Sequence, residues 1–173
     1  YMLKEIMEQK ETILNTILPF IEEGIDSLEK LPDLTKYQEI AIVGCGTAYH
    51  AGLVAKYLFQ EIANTRCNVY IASEYRYQNN FLNKDTLTIF ISQSGETADT
   101  IAALKLVKSK GYPTLGIINV ENSTISYLVD TCLYTKAGSE IAVASTKAYT
   151  AQVALLSILI LAHGLRNKTI NNE

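Results

Sequence analysis

The stretch Ile89-Phe90-Ile91-Ser92-Gln93-Ser94-Gly95-Glu96-Thr97 constrains the chain more than any other. Residues 87–91 form an unbroken apolar run, long enough for a buried strand, which gives way abruptly to small hydroxylated residues and one glycine. Beyond Thr97 the apolar residues change period, with Ile101, Leu104 and Val107 at helical spacing. The pattern predicts strand, tight loop and helix. In a parallel sheet it sets the loop and the helix start at the carboxyl edge, where open α/β folds bind ligands. First-turn amides of a helix lack internal partners and carry the positive end of its dipole. Ser92, Ser94 and Thr97 add hydroxyls, and Gly95 permits close backbone approach. A phosphate is the group best matched to such a nest. The same residues also suit ordinary helix capping, and on this stretch alone the two readings stand level. It contains no lysine or arginine, which suits a single phosphomonoester better than a polyphosphate.

The rest of the chain repeats the strand-loop-helix theme. Strands are predicted over 39–43, 67–72, 87–91, 113–120 and 131–134, with helices over 49–61, from Thr97 onward, over 124–128 and over 146–165. The expected architecture is a three-layer doubly wound α/β domain with a five-stranded, mainly parallel sheet in the order 2-1-3-4-5. That order sets the loops after the first and third strands side by side. A helix over 2–28 precedes the sheet, with Ile6, Ile13, Ile17, Ile21, Ile25 and Leu28 as its apolar row and Pro19 able to kink or divide it. It is expected to pack on its own domain or on a partner. The helix over 146–165 is apolar on nearly all sides and wants cover from more than one neighbour. The organisation is therefore residues 1–34 as a helical segment, 35–166 as the domain and 167–173 as a polar tail.

Other readings weaken on inspection. Gly44 and Gly46 resemble the start of a dinucleotide fingerprint, but position 49 is Tyr49 and only Glu74 is available as the ribose acid. Arg76 meets a phosphate or pairs with Glu74, and the structural pairing is favoured. A net charge of −3 over 173 residues gives no basis for a nucleic-acid partner. The apolar run 153–162, interrupted by Ser157, is too short to span a bilayer, and no basic leader opens the chain. Cys45, Cys67 and Cys132 are far apart, and two histidines are too few for a histidine-based zinc site, so no metal or cofactor is expected and the compartment is the reducing cytoplasm. The chain begins with Tyr1, as expected of a piece of a longer protein or a processed chain.

Three segments together resemble a known family: Cys45-Gly46-Thr47-Ala48-Tyr49-His50-Ala51-Gly52, then Ser92-Gln93-Ser94-Gly95-Glu96-Thr97-Ala98-Asp99-Thr100, then Ala137-Gly138-Ser139-Glu140-Ile141-Ala142-Val143-Ala144-Ser145-Thr146-Lys147. They are similar to the sugar isomerase (SIS) domain. More narrowly, they resemble the first of the two such domains in the glutamine:fructose-6-phosphate aminotransferase (glucosamine-6-phosphate synthase) family. Met2-Leu3-Lys4-Glu5-Ile6 resembles the segment where the isomerase half of those enzymes begins.

The resemblance implies that Thr47, Ser92, Ser94 and Thr97 hold the phosphate of fructose 6-phosphate or glucosamine 6-phosphate, with Gln93 beside it. It implies that Cys45 and Gly46 line the sugar side through their backbone, and that Val143 and Ser145 touch the sugar from a third loop. Ala48 stands where many members carry serine, so only its amide is left and the contact there is expected to be weaker. The glutaminase domain and the second SIS domain, with the acid-base glutamate, ring-opening histidine and Schiff-base lysine, belong to other parts of such an enzyme. Glu96, Glu140, Lys147, His50 and His163 are therefore expected to serve as helix-terminal charges, surface or interface pairs, or core imidazoles. The chain on its own is expected to bind the sugar phosphate without catalysis and to form a homodimer. The competing functions are a single-domain aldose-ketose phosphosugar isomerase and a phosphosugar-sensing regulator.

Overall fold

The computed structural model describes residues 1–78 and 84–171; the polar loop expected from Asn79-Asn80 lies outside the described residues, apart from its end. Five parallel strands, β1 (Glu39–Gly44), β2 (Arg66–Ile71), β3 (Thr86–Ser92), β4 (Thr114–Ile118) and β5 (Thr131–Tyr134), lie in the order β2-β1-β3-β4-β5. The register pairs Gly44 with Ile91 across β1 and β3 and Ser92 with Ile118 across β3 and β4. Strands β1 and β3 thus end level, and their loops stand together where the connections diverge to opposite sides.

Helices α3 (Gly46–Glu61) and α7 (Lys147–Arg166) cover one face of the sheet. Short α4 (Ala72–Tyr75), α5 (Ala98–Ser109) and α6 (Thr124–Leu128) cover the other. Every residue of β3 is buried, as expected of a central strand enclosed by helices on both faces. Alternation along it sends Ile89 and Ile91 toward α3 and α7, and Phe90 toward α5. Helix α3 approaches the sheet closely at Gly52, where a Cβ would fall 2.9 Å from the Ile42 side chain. By length and composition α7 passes for a membrane-crossing helix, longer than its 153–162 apolar run implies. It is instead a core helix, with Leu155 and Leu159 fully enclosed.

The front of the chain differs from its sequence pattern. The expected single helix is divided into α1 (Met2–Met7) and α2 (Gln9–Ile17), and the chain continues in two 3-10 turns, Leu18–Phe20 and Ile25–Lys30. Pro19 stands in the first of these turns, as its missing N–H and fixed φ dictate. The segment packs along its own domain, α2 against α7. Its buried side chains are polar, namely Glu5, Thr12, Thr16 and Ser27; of the expected apolar row Ile17 and Leu28 pack half-buried against the core, while Ile6, Ile21 and Ile25 are exposed. At the other end, residues 167–170 fold back rather than trail away. Thr169 donates its hydroxyl to the Ile62 carbonyl at 2.7 Å and its amide to the Gly164 carbonyl at 2.9 Å.

Candidate functional site

Three helices start at the carboxyl edge of the sheet, and their starts differ electrically. The cap residues of α3, α5 and α7 are Cys45, Thr97 and Thr146, and none of their side chains makes a capping bond. At α7 a carboxylate takes over: Glu140 Oε1 accepts the Thr146 amide at 2.8 Å and the Ala148 amide at 3.3 Å. Its negative charge neutralises the positive end of α7. Among the described residues no carboxylate accepts a first-turn amide of α3 or α5; α5 carries Asp99 in its first turn, but that carboxylate pairs with Arg76 at 3.8 Å, and the amides of both helices remain available to an anion.

A cavity of about 240 Å³ lies between these helix starts. Cys45, Thr47 and Ala48 line it from the turn after β1. Ser92, Gln93, Ser94 and Thr97 line it from the turn after β3, and Val143 and Ser145 from the loop after β5. The fold therefore brings every expected site residue into one wall, apart from Gly46. Gly46 opens α3 with φ +55° beside the cavity but does not line it.

The turn after β3 is tied by its own hydroxyls. Ser92 Oγ accepts the Gly95 amide at 3.0 Å, and Ser94 Oγ accepts the Glu96 amide at 3.1 Å. Thr97 Oγ1 lies 3.2 Å from Ser92 Oγ and is not used to cap its own helix. Gly95 has φ +68°, and a Cβ there would fall 2.0 Å from Ser123 Oγ. The close approach that this glycine permits is thus to the start of α6, a neighbour that the sequence reading did not assign. Glu96 also turns to α6 rather than to the dipole of its own helix. It accepts the Thr124 amide at 2.6 Å and the Thr124 hydroxyl at 2.8 Å, and these two donors hold its carboxyl below the usual range. Ser123 occupies the cap position of α6 without a capping bond of its own.

Other charged groups sit apart from the cavity. Arg76 pairs with Asp99 at 3.8 Å and stacks over Tyr77, in place of the expected Glu74 pairing. Lys147 is buried rather than at the surface, with Nζ 2.8 Å from Glu8 Oε2. His163 is a core imidazole, 2.9 Å from Thr65 Oγ1, with its pKa lowered by burial. Among the described residues no cluster of three or more histidine, cysteine or acidic side chains is arranged to hold a metal ion.

Sequence reasoning missed three lining residues, Ile91, Ala142 and Gln152, and gave a fourth, Glu140, a structural role or, in the competing isomerase reading, that of the base. Gln152 is 2% exposed, and its Oε1 has no hydrogen-bond partner among the described residues. Its signal in the sequence was a long polar side chain inside a helix otherwise apolar on nearly all sides.

The fold and the cavity together define an α/β domain that turns two helix starts without side-chain caps, and a set of hydroxyls, toward one cavity. The chain belongs to the SIS domain family, whose profile matches residues 33–162. It is 49% identical over its whole length to glutamine–fructose-6-phosphate aminotransferase [isomerizing] of Clostridium tetani, and 48% identical over 99% of its length to that of Caldanaerobacter subterraneus subsp. tengcongensis. It spans 29% of the length of each of these relatives. Among solved structures, the C-terminal domain of glucosamine-fructose-6-phosphate aminotransferase from Francisella tularensis superimposes with a TM-score of 0.91 at 43% identity, over 99% of this chain and 49% of that one. The chain is thus homologous to the isomerase portion of these aminotransferases.

Proposed function

We propose that the chain is the first SIS domain of a glutamine:fructose-6-phosphate aminotransferase and binds fructose 6-phosphate or glucosamine 6-phosphate. The observation that carries this reading is the contrast between helix starts around one cavity: two are open to an anion, and the third is already occupied by Glu140. The phosphate sits against α3 and α5, with Thr47, Ser92, Ser94 and Thr97 donating hydroxyls and Gln93 beside it. The sugar extends past Cys45 toward Val143 and Ser145, and Gly46 contributes backbone only. Ala48 offers its amide alone.

The domain supplies binding and orientation. Among the described residues Glu140 is the one carboxylate in the cavity wall, and it is engaged by two backbone amides. Phosphate binding energy fixes the sugar, while the proton-transferring groups come from the second SIS domain of the parent enzyme. Resemblance of the opening segment around Glu5 to the start of the isomerase half supports the first domain over the second. The free cysteines support a cytoplasmic setting. Exposed Met2, Leu3, Met7 and Leu14 support a homodimer of the isolated chain, to be read by sedimentation equilibrium; a monomer at all concentrations overturns that part.

Titration calorimetry tests the function. Fructose 6-phosphate is expected to bind and fructose to give no signal; equal affinities for the two overturn the reading.

A further inference from the structure

The loop between β5 and α7 supplies Glu140, Ala142, Val143 and Ser145 to the cavity, yet beyond Ala137, which is buried against Ala148 and Ala151 at its root, its apolar side chains do not anchor it. Val143 is fully exposed and Ile141 is 63% exposed. Its root is tied to the sheet by Asn119, which accepts the Ala137 amide at 2.9 Å and donates to the Gly138 carbonyl at 2.8 Å. Beyond that root the grip comes from the front helices. Thr16 Oγ1 accepts the Lys136 amide at 2.9 Å. Glu5 Oε1 accepts the Ile141 amide at 2.7 Å, and the Ala142 amide lies 3.2 Å and 3.3 Å from its two oxygens. Glu8 holds Lys147, the first residue of α7.

Glu5, Glu8, Thr12 and Thr16 recur at steps of three and four, so they form one stripe along α1 and α2. This stripe is the face turned to the protein, and it explains why polar residues of the segment are buried while Ile6, Ile21 and Ile25 are exposed. All four precede residue 33, where the family match begins.

We infer that Glu5 is a positioning residue for the cavity: by gripping the Ile141 and Ala142 amides, it sets the loop carrying Val143 and Ser145 over the sugar end of the ligand. The inference rests on the proposed function for the identity of that ligand. A carboxylate that accepts two backbone amides fixes two successive peptide planes, and so fixes the direction in which Val143 leaves the loop. Without it, the ties left among the described residues are Asn119 at 137–138 and the Glu140 cap on α7, and the Ile141 and Ala142 amides lose their acceptor. The phosphate cradle at α3 and α5 does not touch this grip and is left intact by its loss.

The test compares Glu5→Ala and Glu5→Gln with the full chain, by two readouts. Amide hydrogen exchange needs no ligand: in Glu5→Ala, Ile141 and Ala142 are expected to exchange about tenfold faster or more, with β3 unchanged. Calorimetry is expected to show fructose 6-phosphate bound about tenfold more weakly by Glu5→Ala, while inorganic phosphate, followed by NMR titration, binds within about twofold of the unaltered chain. Glu5→Gln keeps one acceptor oxygen and is expected to recover part of both losses. Unchanged exchange in Glu5→Ala overturns the grip, whatever the ligand. Faster exchange with unchanged sugar-phosphate affinity, or an equal loss for sugar phosphate and inorganic phosphate, overturns the positioning role. If the unaltered chain binds no fructose 6-phosphate, the proposed function fails and the ligand part of this inference fails with it, while the exchange readout still decides the grip.

Discussion

Ser92 and Thr97 hold their hydroxyl oxygens 3.2 Å apart across the turn from β3 to α5. Ser92 is committed to the Gly95 amide, and Thr97 is not committed to its own helix. Ser92 only accepts there, so each of the two keeps a hydroxyl proton that can turn from this contact to a ligand. A hydrogen bond to a charged phosphate contributes about 1.5–3 kcal/mol. Thr97→Val is expected to weaken fructose 6-phosphate binding about tenfold or more, as calorimetry reads it, with the melting temperature nearly unchanged. Unchanged affinity counts against the proposed placement of the phosphate.

The engagement of Glu140 by the Thr146 and Ala148 amides leads to a negative expectation. The isolated chain catalyses no exchange of the C1 or C2 proton of fructose 6-phosphate in deuterated water, as followed by NMR. Glu140→Gln is expected to cost about 0.5–2 kcal/mol of stability through the lost cap and to leave the absent exchange unaffected. Exchange by the unaltered chain that disappears in Glu140→Gln would make Glu140 the base, as the competing single-domain isomerase requires of it or of a histidine.

Gly95 answers to two constraints at once, a positive φ and contact with Ser123. Gly95→Ala is expected to destabilise the chain by about 2–5 kcal/mol, the sum of left-handed strain and overpacking, in denaturant titration. Adding Ser123→Gly removes the steric part and is expected to return the loss to about 1–2 kcal/mol. No recovery in the double variant places the whole cost in the backbone.

His163 links stability to pH. Burial lowers its pKa, a nearby Asp33 raises it, and Arg166 lowers it, with burial the largest effect. The unfolded chain then takes up the proton more readily than the folded one. Stability associated with the neutral ring is complete above the unfolded value of 6.5 and is lost as pH falls toward the depressed folded value. Glu8, Asp33, Glu96 and Asp130 all have lowered pKa values, so the stability they contribute is lost at more acidic pH. The denaturation midpoint is expected to fall between about pH 7.5 and pH 5.5, and His163→Gln is expected to flatten that fall. An equal slope in the variant refutes the assignment.

The sheet was legible because its strands are apolar runs closed by small residues, as at Ile91-Ser92, and because the periods on either side differ. The turn after β3 was legible from its hydroxyls, but the partner of Gly95 was not, since Ser123 is distant in the chain. The front helices were misread for a specific reason. Their isoleucine spacing predicts an apolar inner face, but Glu5 and Thr16 bury because the loop after β5 presents backbone amides that need acceptors. Nothing local to residues 1–17 announces those amides. Gln152 escaped for a similar reason: only the packing of α7 brings it to the cavity.

The unequal helix starts around the cavity also set a rule of charge count. Two of them welcome a negative group, and at the third Glu140 already holds that place. On the proposed placement, a sugar with phosphate at one end satisfies both halves of this arrangement. A bisphosphate brings its second anion toward the Glu140 carboxylate and meets repulsion there. On that placement the domain is expected to distinguish the two ends of its ligand before any catalytic group takes part, and to favour monophosphates by what it refuses.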